Sequence, residues 1–107
     1  MHLVSRTEEL LLLVVWRLQT EAYGMAIREE LTRATQKTWS IGGVYAPLHR
    51  LEKKGYVATT EGAPTPERGG RRKVFYQLTP KGKRALVQIK TVQEAMWRGL
   101  PALEVQP

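Results

Sequence analysis

The first part of the chain carries apolar residues on almost every side of a predicted helix. Ser5 and Glu8 have the spacing of a capping box, in which each side chain bonds the backbone amide of the other residue. The pattern predicts a helix over residues 6–19, with apolar side chains at Leu10, Leu11, Leu13, Val14, Val15 and Leu18. A helix that is apolar nearly all round must be covered on more than one side, so a second subunit is the expected cover.

Two further helices are predicted before the pattern changes. The first spans residues 24–35, with Ile27, Leu31 and Ala34 on its inward stripe. The second follows Ser40, which belongs to the favoured N-cap residue types. It ends near Gly55, because glycine readily adopts the left-handed conformation that closes a helix.

The helix after Ser40 contains one irregular position. Val44, Leu48 and Leu51 have the i, i+4, i+7 spacing of a buried stripe, but Pro47 lies beyond the first turn. A proline there removes a backbone hydrogen bond, and its ring clashes with the preceding turn. We therefore expect either a bend at Pro47 or a helix that begins later than Ser40 indicates.

A hairpin and a last helix follow. Residues 56–60 and 74–78 are predicted strands, and residues 61–73 between them are too rich in Gly and Pro for a helix and too long for a tight turn. Thr79 is the predicted N-cap of a helix that starts at Pro80 and continues to about Gly99. Its apolar stripe has the spacing of a coiled-coil seam and consists of Ala85, Ile89, Val92 and Met96.

The net charge of +7 is concentrated in the later part of the 107-residue chain. Residues 49–90 contain eleven basic and three acidic residues, whereas the rest contains six basic and seven acidic residues. The chain has no Cys, no Asp and only two His, which disfavours thiolate metal sites, Cys nucleophiles and a Ser–His–Asp relay. Composition therefore predicts one small basic domain that is not an enzyme, needs no cofactor, and binds a polyanion such as nucleic acid.

Three helices followed by a basic hairpin are arranged as in a winged helix. We predict a mainly α fold with a small β-hairpin, in which a winged helix-turn-helix is followed by a C-terminal dimerisation helix. The second helix of a helix-turn-helix enters the major groove, so the polar face of the helix after Ser40 would contact DNA and the arginine-rich hairpin would contact phosphates. The predicted DNA-binding residues are Ser40, Gly42, Gly43, Tyr45, Ala46, His49, Arg50, Lys53, Arg68, Arg71, Arg72 and Lys73.

Cations at the start of the last helix form a separate group. Lys81, Lys83 and Arg84 lie where the helix dipole disfavours positive charge. Their position hints at a bound anion that compensates them.

Four segments in order resemble the PadR family of transcriptional regulators. They are residues 23–27 (YGMAI), 40–45 (SIGGVY), 51–57 (LEKKGYV) and 71–82 (RRKVFYQLTPKG), and the resemblance covers about residues 5–98. The family usually places Pro directly after the helix-three Tyr, whereas here Ala46 separates Tyr45 from Pro47. The chain stops after one C-terminal helix, so it resembles the short members of the family.

The resemblance implies a repressor that dimerises through its first and last helices and binds a palindromic operator. We expect a winged helix over residues 1–79, a dimerisation helix over residues 80–100 and a loose tail over residues 101–107. Some short members bind aromatic or cationic compounds between subunits, next to a Trp of the last helix, which implies an aromatic effector site here. The residues implied for the dimer or ligand surface are Leu11, Val15, Ile89, Val92, Met96 and Trp97.

Other functions stay open at this point. The main alternative is a winged helix whose basic arm binds an acidic protein. An RNA-binding function is a further alternative, but it would need exposed aromatic residues on a larger sheet. Catalysis is disfavoured because no nucleophile lies near a base in the pattern. The longest apolar run, Leu10–Trp16, is far shorter than the roughly 20 residues that span a membrane, so we expect a cytoplasmic protein without a membrane partner.

Overall fold

Four α-helices and one hairpin follow one another along the chain. A computed structural model describes residues 4–64 and 72–106. The helices are α1 (Arg6–Leu18), α2 (Gly24–Thr35), α3 (Ile41–Lys53) and α4 (Pro80–Trp97), and the strands are β1 (Val57–Pro64) and β2 (Arg72–Leu78). This mainly helical fold with an antiparallel hairpin confirms the predicted fold class.

Local capping explains where the helices begin and end. The Ser5 hydroxyl accepts a hydrogen bond from the Glu8 amide at 3.2 Å, and the Ser5 amide donates to the Glu8 carboxylate at 2.9 Å, which completes the predicted capping box. The Ser40 hydroxyl accepts from the Gly43 amide at 2.9 Å at the start of α3. Gly55 closes the end of α3 with a φ of +82°, a left-handed conformation that glycine adopts without steric cost.

Pro47 lies inside α3 and is buried. The helix nevertheless begins directly after Ser40, so the expectation of a later start is wrong. The local reason is the Ser40 cap, which satisfies the Gly43 amide in the first turn.

The core lies between α1, α2 and α3 and is closed by the hairpin and the start of α4. Each helix contributes fully buried aliphatic side chains, and Tyr56, Val57 and Ala85 extend the cluster to the other elements. The fully buried aliphatic residues of the three helices include Leu11, Leu12, Ile27, Leu31, Val44, Leu48 and Leu51. Ala34, predicted to face inward, is exposed.

The hairpin extends further from the core than its sequence predicts. Pairing runs from Val57 opposite Leu78 to Glu61 opposite Val74, and an irregularity precedes the last pair, Pro64 opposite Arg72. The outer pairs involve residues without the alternating apolar pattern of a strand, because that part of the hairpin packs on no core. The hairpin β1–β2 is called the wing below.

Two backbone contacts hold the base of the wing, one with the segment between α1 and α2 and one between the residues that flank the hairpin. The Tyr76 amide donates to the Ala22 carbonyl at 2.7 Å, and the Thr79 amide donates to the Tyr56 carbonyl at 3.1 Å. Gly82 and Ala85 of α4 are buried close to this point, but every residue from 90 to 106 is exposed. The second half of α4 therefore extends from the domain without a cover in the single chain.

Candidate nucleic-acid interface

One face of α3 is free of contacts with the core. Because Val44, Leu48 and Leu51 point inward, the opposite side of the helix is exposed, and the small side chains at its beginning leave its backbone accessible. Tyr45 is 37% exposed at the margin of this face, and Gly43 is half-buried. The other exposed residues among those predicted are Ser40, Gly42, Ala46, His49, Arg50 and Lys53. We call this surface the α3 face.

The cations of the α3 face are not neutralised by carboxylates of the described chain. Across residues 4–64 and 72–106, neither Arg50 nor Lys53 forms an ion pair. The nearest acid on the helix, Glu52, instead accepts a hydrogen bond from Thr59 of β1 at 2.9 Å. Arg50 and Lys53 are therefore available to bind an anion.

Lys54, the next residue, has a structural role. Its ammonium donates to the Glu8 carboxylate at 3.0 Å and so joins the end of α3 to the start of α1. Glu8 is only 4% exposed. Burial alone would raise the pKa of Glu8, but hydrogen bonds from the Ser5 amide, the Lys54 ammonium and the Ser5 hydroxyl outweigh burial and hold this pKa below its usual value.

Two cations at the start of α4 also contact groups of the protein itself. Lys81 donates to the Lys54 carbonyl at 2.7 Å, where it meets the negative end of the α3 dipole, and lies 4.7 Å from the centre of the Tyr56 ring. Lys83 lies 5.5 Å from the centre of the Trp16 ring. Lys81 and Lys83 thus each contact a protein group at the start of α4.

The base of the wing lies beside α3. The hydroxyl of Tyr45 occupies the space where a side chain at Gly24 would be, so α3 and the start of α2 are in close contact there. Burial, together with the neighbouring Tyr45 and Glu52, raises the pKa of the Tyr76 hydroxyl. A direct contact between the wing and α3 is the hydrogen bond that Thr59 of β1 donates to Glu52 of α3.

The predicted wing residues divide into described and undescribed positions. Lys73 is exposed in β2, and its ammonium lies 4.2 Å from the centre of the Tyr23 ring. Arg68 and Arg71, and the side chain of Arg72, lie outside the described residues. The described part of the predicted interface thus consists of the α3 face and of Lys73, which lies on the Tyr23 ring directly before α2.

The predicted dimer or ligand surface needs a correction. Leu11 and Val15 are 0% and 2% exposed, because they point into the core of their own chain, and so they do not lie beside Trp97 on the surface. Val92, Met96 and Trp97 are exposed on α4, and Ile89 is half-buried.

Sequence reasoning missed two residues of α1. Leu13 and Trp16 are 47% and 48% exposed. Their i, i+3 spacing places both side chains on one side of the helix, but α1 is apolar almost all round, so the spacing alone does not identify this side as the exposed one.

A groove of about 580 Å³ lies between α1 and α4. Leu13 and Trp16 form one wall, and Leu86, Val87 and Ile89 form the other. The buried Glu9 also lines it, where its carboxylate accepts from the Gln93 amide at 3.1 Å and pairs with Arg6 at 2.9 Å. The groove is continuous with the exposed part of α4.

The described residues contain neither a membrane-spanning helix nor a metal-binding cluster. No helix among them is long and apolar enough to cross a membrane. In the same residues, no group of three or more His or Glu side chains is placed to hold a metal ion.

Comparison with known proteins connects this fold to regulators of transcription. A family model described as the Transcriptional regulator PadR-like family matches residues 11–88. A comparison with curated proteins found no match.

Solved structures with similar folds cover most of this chain. RosR from H. salinarum has a TM-score of 0.72 at 22% identity, over 92% of this chain and 81% of that chain. A PadR family transcription regulator from Clostridium difficile has a TM-score of 0.69 at 22% identity, over 86% and 91% of the two chains. A transcriptional regulator from Clostridium thermocellum has a TM-score of 0.68 at 22% identity, over 88% and 91%. At these identities the likeness concerns the fold, and it agrees with a winged helix.

Proposed function

The chain belongs to the PadR-like family of transcriptional regulators, and from this premise we propose that it is a homodimeric repressor that binds a palindromic DNA operator. Family members are transcription regulators, so the chain is not an enzyme. Under this proposal, residues 1–79 bind DNA in the cytoplasm, residues 80–100 hold two subunits together, and residues 101–107 follow as a tail.

The observation that carries the proposal is the α3 face. A helix fits the major groove of B-DNA when its outward side chains near the groove floor are small and its long side chains reach base edges. Gly42 and Ala46 supply the small positions, and the unpaired Arg50 and Lys53 supply the long cationic ones. Arg50 is proposed to read a guanine edge, and Lys53 to contact a phosphate.

The dimer is supported by apolar surface that the single chain leaves exposed. Met96 and Trp97 are 70% and 61% exposed on α4, and Leu13 and Trp16 of α1 are half-exposed beside the groove. Contiguous apolar surface of this kind is typical of protein interfaces. Two copies related by a twofold axis would place their α3 faces about 34 Å apart, one turn of DNA.

The same surface is the proposed effector site. An aromatic compound between two subunits would stack on Trp97, with Met96 as a neighbour. Leu11 and Val15 are left out of this proposal because the core of the chain buries them.

The proposal predicts strongly salt-dependent binding to double-stranded DNA. If a dimer neutralises about eight phosphates, the logarithm of its affinity should fall with the logarithm of salt concentration with a slope near −7. The measurement is fluorescence anisotropy of labelled duplexes, selected from fragmented genomic DNA, at several salt concentrations.

The alternative function, a winged helix that binds an acidic protein, would give a different result. Such a module would bind an acidic peptide, but it would select no duplex sequence. A protein that retains no genomic fragment, or whose duplex binding is insensitive to salt, contradicts the proposed function.

A further inference from the structure

The start of α2 connects the wing to α3 through one aromatic residue. Tyr23 forms an isolated antiparallel bridge with Phe75 of β2, and the two rings meet edge to face with centres 5.8 Å apart. The other side of Phe75 lies against Gly62 of β1, where an added Cβ would be only 2.7 Å from the ring. Tyr23 therefore contacts the wing where both strands are closely packed.

The position of Tyr23 relative to α3 is fixed by its neighbour in sequence. The Tyr45 hydroxyl packs so closely on Gly24 that no side chain fits there. The ring of Tyr23 also lies under the ammonium of Lys73 at 4.2 Å, within the range of a cation–π interaction. One ring thus holds a wing cation, and the next residue, Gly24, packs on Tyr45 at the margin of the α3 face.

We propose that Tyr23 is a positioning residue for DNA binding, whose ring holds the Lys73 ammonium in the outer part of the wing so that it binds a backbone phosphate next to the groove that α3 enters. This inference rests on the proposed DNA-binding function and adds a residue to it.

The geometry of a cation on a ring suits this role. An ammonium has three donors and no acceptor, and a ring face holds it by electrostatic attraction without occupying a donor in a directed hydrogen bond. The donors that point away from the ring stay available to phosphate oxygens. A lysine already held in place also loses less rotamer freedom when the phosphate binds than a freely moving one does.

A double-mutant cycle tests the proposal in the full chain. Lys73→Gln should weaken binding to the selected duplex several-fold and reduce the magnitude of the salt slope by about 2, as expected for one lost phosphate contact in each of the two subunits. Tyr23→Leu should cause a similar loss of affinity and slope. The affinity of the double variant for the duplex should lie within about twofold of the affinity of the weaker-binding single variant, because both changes remove the same contact.

Matched variants separate positioning from a general structural effect. Tyr23→Phe keeps the ring and should bind DNA as the unmodified chain does. Lys53→Gln removes an exposed cation that is not on a ring, so its effect should add fully to that of Tyr23→Leu. Where Tyr23→Leu does not fold, the same cycle uses a fluorinated phenylalanine at position 23, which keeps the ring shape but makes its face electron-poor.

The outcomes distinguish this inference from the proposed function. Full additivity of Lys73→Gln and Tyr23→Leu, or no effect of Lys73→Gln on the salt slope, overturns the role of Tyr23. A chain that binds no duplex in any form overturns the proposed function instead.

Discussion

Replacing Gly82 with alanine is expected to lower the midpoint of thermal unfolding by about 10–20 °C, which corresponds to about 2–3 kcal/mol in a domain of this size. An added Cβ would overlap the carbonyl oxygen of Tyr56, which is backbone and already accepts a hydrogen bond from Thr79. Backbone at that point cannot rotate away as a side chain could. The start of α4 would have to separate from the base of the wing.

A second glycine in a first helical turn provides the matched control. An added Cβ at Gly42 meets no atom within 4 Å. Gly42→Ala should therefore keep or raise stability, by up to about 1 kcal/mol, because glycine is the less favourable residue within a helix. Calorimetry of both variants at one protein concentration is the measurement, and equal midpoints would show that α4 does not pack on Tyr56 as described.

Replacing Met96 with glutamate is expected to convert the protein to a monomer and to weaken operator binding by about a hundredfold or more. Met96 is 70% exposed, so the single chain tolerates a charge there. A dimer that covers this part of α4 would bury an unpaired carboxylate, which is strongly unfavourable. Loss of the second subunit removes the gain from two linked half-sites, which is typically 10²–10⁴ in affinity.

Thr91→Glu is the control for the charge itself. Thr91 is also exposed on α4 but lies away from the stripe of Ile89, Val92 and Met96. The substitution Thr91→Glu should therefore leave both the sedimentation coefficient and the affinity for the operator nearly unchanged. A free protein that already sediments as a monomer at micromolar concentration, or a Met96→Glu variant that remains a dimer, would contradict the proposed subunit interface.

The helices and their ends were predictable because they depend on local chemistry. The capping box of Ser5 and Glu8, the Ser40 cap and the left-handed Gly55 are each satisfied within a few residues of chain. The outer part of the wing was not predictable in this way. Its pairing beyond Glu61 joins Pro64 to Arg72, and the residues there carry no apolar alternation in the sequence.

The α3 face could be predicted because a buried stripe determines the opposite side of a helix. The surface of α1 could not, since that helix is apolar almost all round and periodicity alone does not distinguish its faces. Tertiary packing turned Leu11 and Val15 inward and left Leu13 and Trp16 exposed.

Residues that are far apart in sequence account for the other differences. Lys54 pairs with Glu8, and Lys81 donates to the carbonyl of Lys54. The contact of Lys73 with Tyr23 likewise joins two elements 50 residues apart. No local pattern indicates which cation meets a protein group and which remains available for DNA.

The most direct test of the central claim compares base preferences of the unmodified chain and of Arg50→Ala. Affinities are measured by competition for every single-base-pair variant of the selected operator. If the α3 face reads the major groove through Arg50, the substitution relaxes preference at one position in each half-site, by about 1–3 kcal/mol, and leaves the other positions unchanged. A variant that loses affinity equally for all sequences would contradict this account.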